Sequence, residues 1–373
     1  MSTGTGESDR QSRECSRLSR RAMLAGVGGG MLGNLAVTGW QRQRGPVRMT
    51  LQTTLTDEIV GGWLGEYDEG RLSVSNRGHG EIGVIDLSKG TDPIVAGAID
   101  TSLDAVTATV FDGDLVYGVD PDDHRFVVVD ASDPTALVEV GAIRNTPTKG
   151  GYWDLAARDG LAYLCNRGDI ADTAIGSFDI VDVTEPASPE IIGVVEEFIE
   201  ARDVALVDDI AFVVDQVRGR YDAPGALVAV DIADPERPRM LNWYTSSGLD
   251  DARFVEVRDD VVFVCARDEN GVVSVDISDP MDMQELDHLT GPDLANSHGI
   301  TIVGDHLYTT QSAPTKTVAE IDARDPTDLS LVEVFEWDER LSDVVSDGNR
   351  IYVSELSGDA SMGNLLILGD GLP

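Results

Sequence analysis

Lysine is nearly missing from this chain. Of 28 basic residues only three are lysines, Lys89, Lys149 and Lys316, against 67 acidic residues and a formal net charge of −39. So acidic a chain offers no basic face for a phosphate backbone, which disfavours nucleic-acid binding. Cysteine is as scarce: Cys15, Cys165 and Cys265 lie far apart and form no C-x-x-C, so neither a disulfide framework nor a structural zinc site finds support. Cys165 and Cys265 close the apolar runs LAYLC and VVFVC and read as buried small hydrophobes. Helical apolar periodicity is absent after the N-terminal region, as is any further segment apolar enough to cross a membrane. No H-E-x-x-H or G-x-S-x-G occurs, and no two of His79, His124, His288, His298 and His306 have metal-ligand spacing. No cofactor, metal or catalytic residue is therefore assigned, and the balance leans against an enzyme.

What is present is a 373-residue chain that is 42% apolar, enough for a substantial core. Its acids are spread over every segment. At molar salt, repulsion between carboxylates is screened within about 3 Å, and the composition suits a protein adapted to very high salt. The competing reading is an acidic surface made for a basic partner or for calcium. Asp120-Pro121-Asp122-Asp123 and Asp268-Glu269-Asn270-Gly271 are the loops that would serve calcium, but neither has EF-hand spacing.

Residues 1–18 are polar, with Arg10, Arg13 and Arg17. Ser19-Arg20-Arg21-Ala22-Met23-Leu24 follows, then a mildly apolar, glycine-rich run to Val37. That run is about 15 residues, short of the ~20 a membrane span needs. Paired arginines before a moderately hydrophobic stretch resemble a twin-arginine export signal, with Met23 where Phe is usual. An N-terminal membrane anchor is the alternative. The resemblance implies export through Arg20 and Arg21 to the outside of the cell or its surface, with residues 1–40 as signal region and disordered N-terminus.

Residues 126–134 read FVVVDASDP, and the pattern returns. Residues 83–93 read GVIDLSKGTDP, 178–186 FDIVDVTEP, 227–235 LVAVDIADP, 272–280 VVSVDISDP and 318–326 VAEIDARDP. The registered aspartates Asp86, Asp130, Asp182, Asp231, Asp276 and Asp322 are spaced by 44, 52, 49, 45 and 46 residues. A period of that size, built from short Val- and Ile-rich runs bounded by Asp, Gly and Pro, predicts a β-propeller of four-stranded antiparallel blades. Hairpin signals recur at Asp112-Gly113, Asp159-Gly160, Asp259-Asp260, Gly304-Asp305 and Asp347-Gly348. Six units span residues 59–337, and a seventh starts at Leu341 but runs out before a fourth strand. Residues 46–55 (PVRMTLQTTL) read as that missing strand. Pairing it with the last unit makes seven blades over 46–373 and removes both exposed edges.

VVSVDISDP and FVVVDASDP resemble the LVIVD-repeat family, here of a haloarchaeal type, with Gly97, Gly141 and Gly193 at the expected fourth-strand position. Units four to six lack that glycine and the last unit lacks Asp-Pro. The resemblance implies a propeller of secreted and surface proteins, with no settled activity.

The repeated aspartates read as groups that accept backbone N–H bonds from the turn after the strand. Function is sought instead where the units differ. First strands line a propeller's channel, and counting back from the second strand places Trp63, Trp153, Asp154, Arg202, Asp203, Arg253, His298 and Asp343 at one mouth. Aromatic walls with a few convergent polar groups suit a small-ligand site. The expected function is a non-enzymatic binding or scaffold module outside a halophilic cell, monomeric, with an unknown protein or small molecule as partner and membrane contact only through an uncleaved signal. The alternative is a hydrolase or lyase at the mouth, possibly metal-assisted, with His298 as base oriented by Asp203 or Asp343. His79, His124 and His306 are expected in solvated loops.

Overall fold

The structure, a computed structural model, describes residues 49–369 apart from 58–61, 77–79, 91, 123, 145–149, 169–175, 217–224, 268–270, 313 and 357–362. Arg20, Arg21, the region 1–40, His79, Asp123 and residues 268–270 lie outside the described residues. Seven four-stranded antiparallel sheets form the blades of a propeller. Blades 1 to 6 are consecutive stretches of chain: 63–100, 108–143, 152–198, 201–245, 252–289 and 297–336. Blade 7 takes three strands from 340–369 and its outermost from Leu51–Asp57, which pairs with Gly363–Gly369 from Leu51↔Leu368 to Asp57↔Gly363. The predicted closure by the N-terminal strand is thus observed.

Each blade is covered on both faces by its neighbours. That is why second and third strands are apolar runs rather than alternating ones: Leu115–Val119 and Phe126–Asp130 each bury four consecutive residues. Fourth strands form the outer wall, and Ser330–Glu336 is largely exposed. The core is divided into seven clusters, one at each junction between blades. At the junction of blades 7 and 1, Leu365 and Ile367 pack with Leu72 and Ile85, and the Tyr67 and Tyr352 rings lie 6.2 Å apart. Among the described residues no helix is long and apolar enough to cross a membrane.

The repeated aspartates do fix turns. Asp86, Asp130, Asp182, Asp231, Asp276 and Asp322 each accept the backbone N–H two residues on, at 2.8–3.0 Å. In the exit turn that follows, the N–H of Ala136 donates to the Asp133 carbonyl at 2.9 Å, and blades 3 to 6 repeat the bond. The hairpin signals also hold. Asp159 and Gly160 adopt φ of 57° and 77°, the left-handed pair that a tight two-residue turn requires.

The glycines of units one to three are explained by the next blade's exit turn. A Cβ at Gly97, Gly141 or Gly193 would meet the carbonyl oxygen of Pro134, Pro186 or Pro235 at 2.3, 1.9 or 2.1 Å. Blade 5 solves the same contact differently: Ser274 Oγ donates to the Pro326 carbonyl at 2.6 Å, and Asp287, where the glycine would stand, accepts the Leu329 N–H at 2.7 Å. Two expectations about histidine are corrected. His306 lies in a strand, is buried, and sits 2.9 Å from Glu320 on the neighbouring strand, because a third-strand acid gives it a partner inside the blade. His124 is half-buried, with its ring 6.1 Å from that of Tyr152.

Replacing Gly193 by Ala should therefore lower stability by about 1–3 kcal/mol, the usual cost of an overpacked site. Gly291 is the control: it has extended backbone and nothing within 4 Å of an added Cβ, so Gly291→Ala should be near neutral. Urea unfolding followed by tryptophan fluorescence would compare the two.

Candidate functional site at the channel mouth

The site is built by an irregularity repeated around the ring. In blades 3 to 7 the first strand slips one residue against the second, between Tyr152/Asp154, Ala201/Asp203, Ala252/Phe254, Ser297/Gly299 and Leu341/Asp343. The positions the register passes over are Trp153, Arg202, Arg253, His298 and Ser342. A bulge of this kind opposes two residues to one and re-aims the side chain it displaces. Blade 1 slips further along, between Leu64 and Tyr67, and blade 2 has no slip there.

A cavity of about 660 Å³ follows the first strands along the channel. Of the predicted mouth residues, Trp63, Trp153, Asp154, Arg202, Asp203 and Asp343 line it, whereas Arg253 and His298 do not and are buried beside it. The Arg202 guanidinium lies 3.6 Å from the centre of the Trp153 ring, and Arg167 lies 5.0 Å from it. Trp63 and His298 stack with ring centres 6.3 Å apart at 12°.

One step inward come carboxylates. Asp154 accepts the Leu155 N–H at 2.8 Å, Asp343 that of Val344 at 2.8 Å, and Asp203 those of Val204 at 2.6 Å and, in the next blade, Val255 at 2.7 Å. The space that Asp343 occupies explains Gly299, whose added Cβ would meet Asp343 Oδ1 at 2.6 Å. Burial pushes Asp154 up to about 7 against the pull of the Leu155 N–H and Arg202, and pushes Glu256 up to about 7 against the Val257 N–H. Asp203 is held well above the ordinary range by burial and then by the charge of Asp154, and Asp343 likewise by burial, then by Asp154 and Glu256. At its far end the cavity meets Asp208, Asp259, Asp260 and Asp347 of the hairpins, so the channel runs from a basic mouth to an acidic rim.

Counting along the strands missed several residues of the site. Glu256 escaped because only leading positions were counted. Arg167 and Arg267 follow the second strands of blades 3 and 5 and occupy equivalent places, their N–H groups donating to Gly151 and Asp251 carbonyls at 3.1 and 3.0 Å. An arginine directly after an apolar second strand, repeated in register, was the signal available.

Among the described residues no carboxylate orients His298 by a hydrogen bond. Neither ring nitrogen of His298 has a hydrogen-bond partner among the described residues. Burial, then the charges of Arg253, Arg267, Arg202 and Arg340, push its pKa down to about 3. Among the described residues no three His, Cys, Asp or Glu side chains are placed to hold a metal ion. Asp120 of the first calcium-candidate loop takes the N–H groups of Asp104 and Asp122 at 3.1 and 2.9 Å and lies 3.4 Å from Arg125.

These features define a seven-bladed propeller with a polar channel mouth. The LVIVD repeat model matches residues 112–144, 153–197 and 251–289, so the chain carries LVIVD repeats. Solved structures sharing the architecture include the propeller domain of Cps50 (Swd1) from Myceliophteria thermophila, at TM-score 0.63 and 11% identity over 84% of this chain and 98% of that one. A chain of the Mitotic Checkpoint Complex matches at TM-score 0.65 and 10% identity over 96% and 100%. Sqt1 from Saccharomyces cerevisiae matches at 0.59 and 9% over 87% and 100%. At these identities the likeness is one of fold. No curated protein matches the chain in sequence.

The channel carboxylates set a pH dependence. Asp154 and Glu256 titrate near 7 when folded, against ordinary values of 3.8 and 4.5. The folded state therefore holds more protons than the unfolded state between about pH 4 and 7. Their contribution to stability is full below about pH 4 and is lost as pH rises through about 7. Asp154→Asn, neutral at every pH, should flatten the fall in urea-unfolding free energy between pH 5 and 7.5, and an unchanged slope would contradict this assignment.

Proposed function

We propose that the protein is a non-enzymatic binding or scaffold propeller that works outside a halophilic cell and recognises its ligand at the channel mouth. The observation that carries this is the contrast between uniform and variable positions. The exit-turn aspartate repeats in six units, while the bulged position holds Trp153, Arg202, Arg253, His298 and Ser342. Packing favours uniformity at equivalent positions, whereas recognition favours diversity. Propellers of this shape occur in assemblies such as the Mitotic Checkpoint Complex, which supports a scaffold role. The Arg20-Arg21 pair supports export, and the net charge of −39 supports life in strong salt. A neutral His298 that no carboxylate orients among the described residues does not favour the enzyme alternative.

A thermal-shift screen of metals and small molecules in concentrated salt should find ligands that raise Tm, since binding to the folded state alone stabilises it. Trp153→Ala should abolish the shift. Turnover of ester, lactone or glycan substrates that His298→Ala abolishes would overturn the reading. Separately, replacing Arg20 and Arg21 by lysine should leave the protein inside the cell, as immunoblots of cell and medium fractions would show.

A further inference from the structure

Positive charge is rare in this chain, and part of it bears on one buried ring. Arg202, Arg253, Arg267 and Arg340 come from blades 4, 5, 5 and 7, and theirs are the charges that bear most on the ring of His298 in blade 6. They meet only because the ring of blades closes, so nothing local in the sequence accounts for their meeting. Two of the four are not neutralised by acids. The Nε groups of Arg267 and Arg340 donate to neutral partners, Asn296 Oδ1 at 3.0 Å and Ser312 Oγ at 3.4 Å. Among the described residues neither has a carboxylate within ion-pair distance, in a protein where 67 acids compete for 28 bases. The partners of these two arginines are themselves joined, the Ser312 N–H donating to the Asn296 carbonyl at 3.2 Å, and His298 is 8% exposed with both ring nitrogens lacking a hydrogen-bond partner among the described residues. Buried polar groups without partners are uncommon and call for an explanation.

We propose that the mouth is a receptor site for a small organic anion, whose carboxylate or phosphate head is held by Arg202, Arg253, Arg267 and Arg340 beside the Trp63–His298 ring pair. This rests on the binding-module reading above and specifies its ligand class. Guanidinium forks match planar oxyanions and hold them bidentately, which suits carboxylate and phosphate alike. A ligand oxygen or hydroxyl also offers the partner His298 lacks. One step inward Asp154, Asp203 and Asp343 present carboxyl groups rather than cations, so a second negative charge on the ligand would find no partner at that depth. The ligand is therefore charged at its head, with an uncharged body that enters the channel past Phe254.

Four probes of similar size separate the possibilities: glucuronate, glucose 6-phosphate, glucose and glucosamine, each titrated calorimetrically into the full chain at fixed ionic strength. Binding of glucuronate or glucose 6-phosphate, with glucose and glucosamine weaker by about tenfold or more, is expected; which of the two binds better distinguishes carboxylate from phosphate. Arg340→Ala and Arg267→Ala should each weaken anion binding about tenfold. Arg340 is exposed, so its replacement leaves the fold intact, which circular dichroism would verify. Anions that bind no better than glucose or glucosamine, or that bind both arginine variants as well as the parent, would overturn the anion assignment. Glucose or glucosamine binding that Trp153→Ala removes would sink the anion assignment alone and leave the binding-module reading standing. Absence of any binding would remove the anion assignment too, while the broader ligand screen judges the module reading independently.

Discussion

The pairing of Leu51–Asp57 with Gly363–Gly369 is the contact on which everything else rests. It gives blade 7 a fourth strand and converts a curved row of sheets into a closed ring. Only in a closed ring does each blade have two neighbours, and only then can second and third strands be apolar on both faces. The mouth depends on closure as well. Trp63 belongs to blade 1 and His298 to blade 6, yet their rings stack, so the site spans the seam that the N-terminal strand completes.

Most of the fold was legible in the sequence because propeller blades repeat, and repetition turns weak local signals into registered ones. Asp130 alone would have been one turn residue among many; six copies at a period near 47 residues fix a strand end in every blade. The seventh blade was legible from a deficit, a unit with three strands facing a spare one. The site was legible only in part. Counting along the first strands reached Trp153, Asp154, Arg202 and Asp203, but it could not show that the preceding residue in five blades is bulged. Nor could it separate residues that line the cavity from Arg253 and His298, which lie beside it, because that depends on side-chain direction across blades. Arg267 and Arg340 were invisible to a count along one strand of each unit. His306 misled for a related reason: it follows the polar turn Gly304-Asp305, but its partner Glu320 is one strand away.

Electrostatically the molecule is inverted along its channel. The surface is strongly acidic, the mouth is arginine-rich, and the carboxylates just inside are held toward their neutral form by burial. A charge of −39 would repel an approaching anion at long range. At physiological ionic strength that repulsion decays over about 8 Å, and at molar salt over about 3 Å. Partly buried guanidiniums are screened far less. Salt would therefore remove the barrier to approach more than the attraction at contact, which fits a site of this sign in a body of the other.

The junctions between blades carry a consequence for how such an array can change. Blades 1 to 3 meet their neighbours through a bare glycine against a proline carbonyl, whereas blade 5 meets blade 6 through Ser274 and Asp287. These joints are not interchangeable. A blade copied or lost by recombination among the first three would find a matching surface. The same event at blade 5 would set a serine–aspartate joint against a partner shaped for something else. The chemistry of individual seams, as well as the geometry of the ring, therefore fits particular blades to their seats.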